Sequence, residues 1–135
     1  MGTPLLDAFL PADLRVIICE DEILLATDVA QQLQALHVQV VAILASLAEL
    51  NDFLAGGVDA NAALLDVQLR DGPVYPLVPR LEEQGLALAF HTAYLASECP
   101  SHCAHIPWFG KFTPVKDIVE ALCAARDARR HDHHH

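Results

Sequence analysis

The chain has 135 residues, a formal net charge of −10 at pH 7 and 53% hydrophobic residues. That is enough for one domain with one core and too apolar for a disordered chain. The charge excludes a broad nucleic-acid or anionic-membrane surface.

Residues 1–13, MGTPLLDAFLPAD, form an N-terminal extension with no assigned role. LRVIIC (14–19) is a short β-rich run that ends abruptly at EDE, and it predicts the first strand. LLATDVAQQLQAL (24–36) places Leu25, Val29, Leu33 and Leu36 on one helical face. VQVVAI (38–43) predicts a second strand. SLAELNDFLAGG (46–57) carries a Ser N-cap, Glu three residues later and a Gly-Gly stop, the pattern of a short capped helix. AALLD (62–66) predicts the third strand. PVYPLVPRLEEQG (73–85) is helical in its second half, because Pro76 and Pro79 fit only near a first turn.

LALAFH (86–91) predicts the fourth strand and IPWF (106–109) a fifth. Between them YLASECPSHCAHIP (94–107) has poor periodicity and Pro100 in its middle, so the fourth helix is expected to be short or frayed. TPVKDIVEALCAARDA (113–128) predicts a final helix with a Thr N-cap, Pro at its first position and an apolar face of Val115, Ile118, Val119 and Leu122. Strands alternating with helices of these lengths predict a three-layer α/β/α fold around a parallel sheet. The closing residues 129–135 read as a tail, and HDHHH has the composition of a tag.

No apolar run reaches the ~20 residues of a membrane span, and no basic start followed by an apolar block marks a signal peptide. A cytoplasmic chain without a membrane partner is expected. Its four cysteines then read as reduced thiols. The basic cluster Arg126, Arg129 and Arg130 reads as helix-end chemistry, with cations near a carbonyl-rich terminus. Cys99, His102, Cys103 and His105 include ligand types for soft metals, but their spacing matches no zinc signature.

In a parallel sheet the strand carboxyl ends share one edge, where open α/β sheets place their chemistry. That edge would collect Glu20 and Asp21 after the first strand, Asp66 after the third, Thr92 after the fourth and Lys111 after the fifth. Each has a plainer reading alone: helix N-terminal charge, turn residue, strand-end hydroxyl or surface lysine. Together they make a site. Three close carboxylates repel one another, and a hard divalent ion such as Mg²⁺ relieves that repulsion with oxygen ligands. The lysine supplies a point charge for a phosphate oxygen.

The motifs ICEDE, LLDVQLRDG, FHTAY and FGKF, in this order, resemble the receiver domain of bacterial two-component response regulators over residues 14–128. FHTAY is similar to the F-x-T-G-Y variant of often stand-alone receivers, with Ala93 in place of glycine. The resemblance implies a flavodoxin-like sheet of order 2-1-3-4-5. It implies Asp66 as phosphoacceptor, with Thr92 and Lys111 binding phosphoryl oxygens. Glu20, Asp21, Asp66 and the backbone carbonyl of Gln68 would hold Mg²⁺, and Thr92 and Trp108 would be switch residues. The implied partners are a histidine kinase or phosphotransfer protein as donor and a downstream protein, with a homodimer compatible and no direct nucleic-acid contact. The domain would promote only its own phosphorylation and dephosphorylation, so it would not be an enzyme in the usual sense.

Phe112 departs from the pattern, since the family usually has proline after the lysine with a cis peptide. A cis bond before a non-proline residue costs about 3–4 kcal/mol, so a trans bond is expected. This departure supports an alternative, a degenerate receiver acting as a phosphorylation-independent interaction module. A third reading, a flavodoxin-like cofactor protein, lacks a Gly-rich phosphate cradle after the first strand, where CEDEI would repel a phosphate. No output domain fits after residue 128, so the expectation is either output by protein contact or a chain that is a piece of a longer protein.

Overall fold

The computed structural model describes residues 13–57 and 59–132, with side chains described as far as Arg129. Apart from Asp13, the N-terminal extension lies outside the described residues, as do 133–135 of the tail.

Strand β1 (Arg15–Cys19) is followed by helix α1 (Ile23–Ala35), β2 (Gln39–Leu44), α2 (Leu47–Ala55) and β3 (Ala62–Leu65). A two-residue antiparallel ladder then joins Gln68–Leu69 to Gly72–Pro73. A 3-10 turn (Tyr75–Leu77) leads into α3 (Val78–Glu83), which precedes β4 (Ala87–Thr92). Two further 3-10 turns (Ala96–Glu98 and Ser101–Cys103) connect to β5 (Trp108–Gly110) and α4 (Val115–Asp132). The main sheet is parallel throughout, in the order β2-β1-β3-β4-β5. This is the expected flavodoxin-like arrangement.

The sheet divides the core by strict alternation. Ile17, Cys19, Ala63, Leu65, Leu88 and Phe90 face α2, α3 and the β4–β5 connection. Val16, Ile18, Ala62, Leu64, Ala87 and Ala89 face α1 and α4. The central strands β3 and β4 are buried along their whole length, as parallel strands covered on both faces must be. β2, at the edge, is only partly buried. On α1 the buried stripe is Ala26, Val29, Ala30 and Leu33, with Leu25 and Leu36 packed at its margins.

The fourth helix is not an α-helix. Two short 3-10 turns replace it, because Pro100 removes a donor and the segment offers no continuous apolar stripe. Cys103 and Ile106 nonetheless sit in the core. α3 begins at Val78, with Pro76 in the preceding 3-10 turn and Pro79 in its first turn. α4 runs on to Asp132, past the expected end at 128, since AARDARR has high helix propensity and no stop signal. Arg129 caps another helix: its Nη2 donates to the carbonyl of Glu82 near the end of α3.

Candidate functional site

The carboxyl edge of the sheet carries the expected residues. Glu20 and Asp66 each continue a ladder by one residue. Glu20 N donates to Leu44 O and Asp66 N to Cys19 O, both at 2.9 Å. Their side chains therefore emerge from rigid strand ends. One oxygen from each of Glu20, Asp21 and Asp66 can be chosen so that all lie within 4.8 Å of one another. Among the described residues this is the sole such group of acidic, histidine or cysteine ligands. Cys99, His102, Cys103 and His105 form no second one. His102 bonds the Tyr75 carbonyl at 3.3 Å, His105 pairs with Glu82 at 2.6 Å, and Cys103 is buried.

Lys111 reaches into this cluster. Its ammonium donates to Glu20 Oε1, and to Asp66 Oδ2 at 3.0 Å. The three side chains are 14%, 6% and 12% exposed, respectively, so the contacts are shielded from water. Burial pulls the Lys111 ammonium down, but the hydrogen bonds and charges of Glu20 and Asp66 outweigh it and the net shift is upward. Burial pushes the Glu20 carboxyl up, and the Asp66 charge adds to this, against the Lys111 bond and the Glu22 N–H. One ammonium thus serves two carboxylates, and burial still leaves the Glu20 carboxyl harder to ionise than a free glutamate. Asp21 is the most open of the three acids.

The described backbone contains no cis peptide bond. The Lys111–Phe112 bond is trans, as Phe112 predicts, and Lys111 still reaches Asp66. The Phe112 ring is fully exposed.

Thr92 ends β4 and is completely buried. Its Oγ1 accepts from Tyr94 N at 3.2 Å. Trp108, at the start of β5, packs on Phe90 with ring centroids 5.0 Å apart. The two expected switch residues therefore sit on either side of one loop. Gln68 lies in the short ladder after β3, paired with Pro73, two residues beyond Asp66. An open groove of about 410 Å³ adjoins the site, lined by Thr92, Tyr94, Leu95, Trp108, Lys111 and Phe112 among others.

Two neighbours of the site were not singled out from the sequence. Asp71 accepts from Leu47 N at 2.6 Å and from Ala48 N at 3.2 Å, and so clamps the loop after Asp66 to the start of α2. These hydrogen bonds hold its carboxyl below the usual range, the Leu47 bond foremost. In the sequence, Asp71 before Gly72 signals only a turn. His91 is buried in β4, with Nε2 3.2 Å from the Lys111 carbonyl. Nothing in LALAFH sets it apart from a core residue.

No protein-family model matches the sequence, and no curated protein does. Solved structures do. SdrG of Pseudomonas melonis Fr1, in its BeF3-activated conformation, superposes with a TM-score of 0.69 at 27% identity, over 84% of this chain and 97% of SdrG. The response regulator PhyR of Brucella abortus gives 0.71 at 25% identity over 96% of this chain, which spans only 57% of PhyR. The receiver (REC) domain of Erythrobacter litoralis PhyR gives 0.68 at 18% identity, over 83% and 88% of the two chains. The strand order, the acidic cluster and these superpositions agree that the chain resembles the response-regulator receiver domains and has their fold.

Proposed function

We propose that the chain is a phosphoacceptor receiver domain that takes a phosphoryl group on Asp66 and so switches a protein-interaction surface. The observation that carries this reading is the convergence of Lys111 Nζ, 3.0 Å from Asp66 Oδ2, with the Glu20–Asp21–Asp66 cluster. In the reaction, an oxygen of Asp66 bonds to phosphorus while the bond from phosphorus to the donor breaks. The donor, a phosphohistidine on a kinase or phosphotransfer protein, leaves with its electron pair and takes a proton from solvent.

The chain's part is positioning and charge. An acyl phosphate places anionic oxygens where Lys111 already stands, and Lys111 can pass from the Asp66 carboxylate to a phosphoryl oxygen. The Thr92 hydroxyl, now an acceptor for Tyr94 N, has a proton to donate to another. The donor set is all oxygen and anionic, which fits a hard divalent cation and not a soft metal. Asp21, Asp66 and Glu20 would hold Mg²⁺ with the Gln68 carbonyl, and the bound ion supplies charge neutralisation for the incoming phosphate. Such a chain transfers phosphoryl groups only onto and off itself.

SdrG's BeF3-activated form and the response-regulator description of PhyR support the same reading, with a histidine kinase or phosphotransfer protein upstream and a protein partner downstream. No helix among the described residues is long and apolar enough to cross a membrane, which is compatible with a cytoplasmic site of action. The interaction-only alternative rested on Phe112, yet Phe112 does not keep Lys111 from Asp66.

The test is labelling with acetyl phosphate and Mg²⁺, read by intact mass. Wild type should gain one phosphoryl group and Asp66→Asn none. Equal gain in both would refute the reading.

A further inference from the structure

We propose that His91 is a positioning residue for Lys111: its imidazole holds the Lys111–Phe112 peptide so that the ammonium reaches Asp66. The proposal rests on the phosphoacceptor reading for its purpose, but its geometry stands apart from it.

The β4–β5 ladder ends at the pair Thr92 and Gly110, with His91 opposite Phe109. Lys111 is therefore the first residue beyond the ladder. Its side chain must be aimed by whatever holds its own backbone. Phe112, the next residue, is fully exposed and packs against nothing that could anchor the peptide. A turn closes from Thr113 N to Gly110 O at 3.0 Å, which returns the chain but leaves the carbonyl of Lys111 to be held. The His91 Nε2 lies 3.2 Å from that carbonyl. A carbonyl only accepts, so Nε2 carries the proton.

His91 is well placed to be rigid. It is 5% exposed and emerges from a strand buried along its whole length. With Glu20, Asp66, Leu64, Ala26 and Ile18 it lines a void of about 10 Å³ beneath the acidic cluster, room for one water at most. Its contact extends the ladder by one residue through a side chain. A buried imidazole in an apolar strand is otherwise a poor choice, since its polar atoms need partners. The hydrogen bond to Lys111 gives it one, and a trans peptide can then serve where the resembling family has proline.

The test compares His91→Leu, which removes the donor, with His91→Gln, which offers an amide N–H in its place. Lys111 acylation by acetic anhydride is measured in metal-free protein by peptide mapping, with the amide spectrum as the check on folding. His91→Met supplies the same comparison if the Leu variant does not fold. Loss of one neutral hydrogen bond should expose Lys111 and raise its acylation rate about fivefold, with the Gln variant restoring protection. Phosphoryl uptake from acetyl phosphate should fall in parallel in the Leu variant. A folded Leu or Met variant that protects Lys111 as wild type does would overturn the proposal. If wild type itself takes no phosphoryl group, the phosphoacceptor reading fails and the acylation result still decides the role of His91.

Discussion

The indole Nε1 of Trp108 donates to the backbone carbonyl of Tyr94 at 3.1 Å. Thr92 Oγ1 accepts the N–H of the same residue at 3.2 Å. Tyr94 is thus gripped at both its backbone groups by the two expected switch residues. If Thr92 turns toward a phosphoryl oxygen, it releases one of the two bonds and changes the load on the other. Beyond Tyr94 the chain has only 3-10 turns until β5, with few buried side chains to hold it. Amide hydrogen exchange over residues 94–107 should be faster than in β3 and β4 at rest, and should change on addition of beryllofluoride and Mg²⁺. Protection equal to the central strands, unchanged by the mimic, would place the responsive element elsewhere.

Removing the ammonium of Lys111 leaves Glu20 and Asp66 without their shared cation. Lys111→Met should remain folded by circular dichroism yet take up phosphoryl groups from acetyl phosphate more slowly, on the order of 10²-fold, the usual scale for losing one electrostatic stabiliser of a transition state. An unchanged rate would mean that Lys111 is structural only.

The strands and the site were legible because both are written locally. LRVIIC, AALL and LALAFH are apolar runs that stop at polar residues, and a parallel sheet then gathers Glu20, Asp21, Asp66, Thr92 and Lys111 without further information. The capping box of α2 was equally plain, and Ser46 Oγ accepts Glu49 N at 3.1 Å as expected. What the sequence hid depends on tertiary approach. Asp71 caps a helix that begins 24 residues earlier, and Arg129 caps α3 across 47 residues. His91 needs Lys111 beside it to have a role. The missing fourth helix lies between these cases. Pro100 signalled its weakness, but only the burial of Cys103 and Ile106 decides how the segment packs instead.

Asp71 gives a pH-dependent prediction. Its folded carboxyl is lowered, chiefly by the Leu47 N–H bond, so its stabilising effect is present above the unfolded value of about 3.9 and is lost as pH falls through the folded value. Asp71→Asn should therefore melt below wild type at neutral pH, and the gap should close as pH falls through the lowered folded value. A gap of equal size at both ends of the range would show that the charge on Asp71 is not what anchors α2.

Asp21 is the open member of the acidic cluster, whereas Glu20 is buried and already bonded to Lys111 and Glu22 N. Mg²⁺-induced amide shifts around β1 and β3 should vanish in Asp21→Ala and persist, weakened, in Glu20→Ala. The reverse ranking would mean that the ion is held from the buried side.

The central claim is that Asp66 becomes an acyl phosphate. Borohydride reduces an aspartyl phosphate to homoserine, which marks the acceptor residue permanently. After treatment with acetyl phosphate and Mg²⁺, then borohydride, tandem mass spectrometry should find homoserine at position 66 in wild type and none when Mg²⁺ is withheld. Homoserine at another carboxylate, or at none while the protein remains folded, would contradict the account.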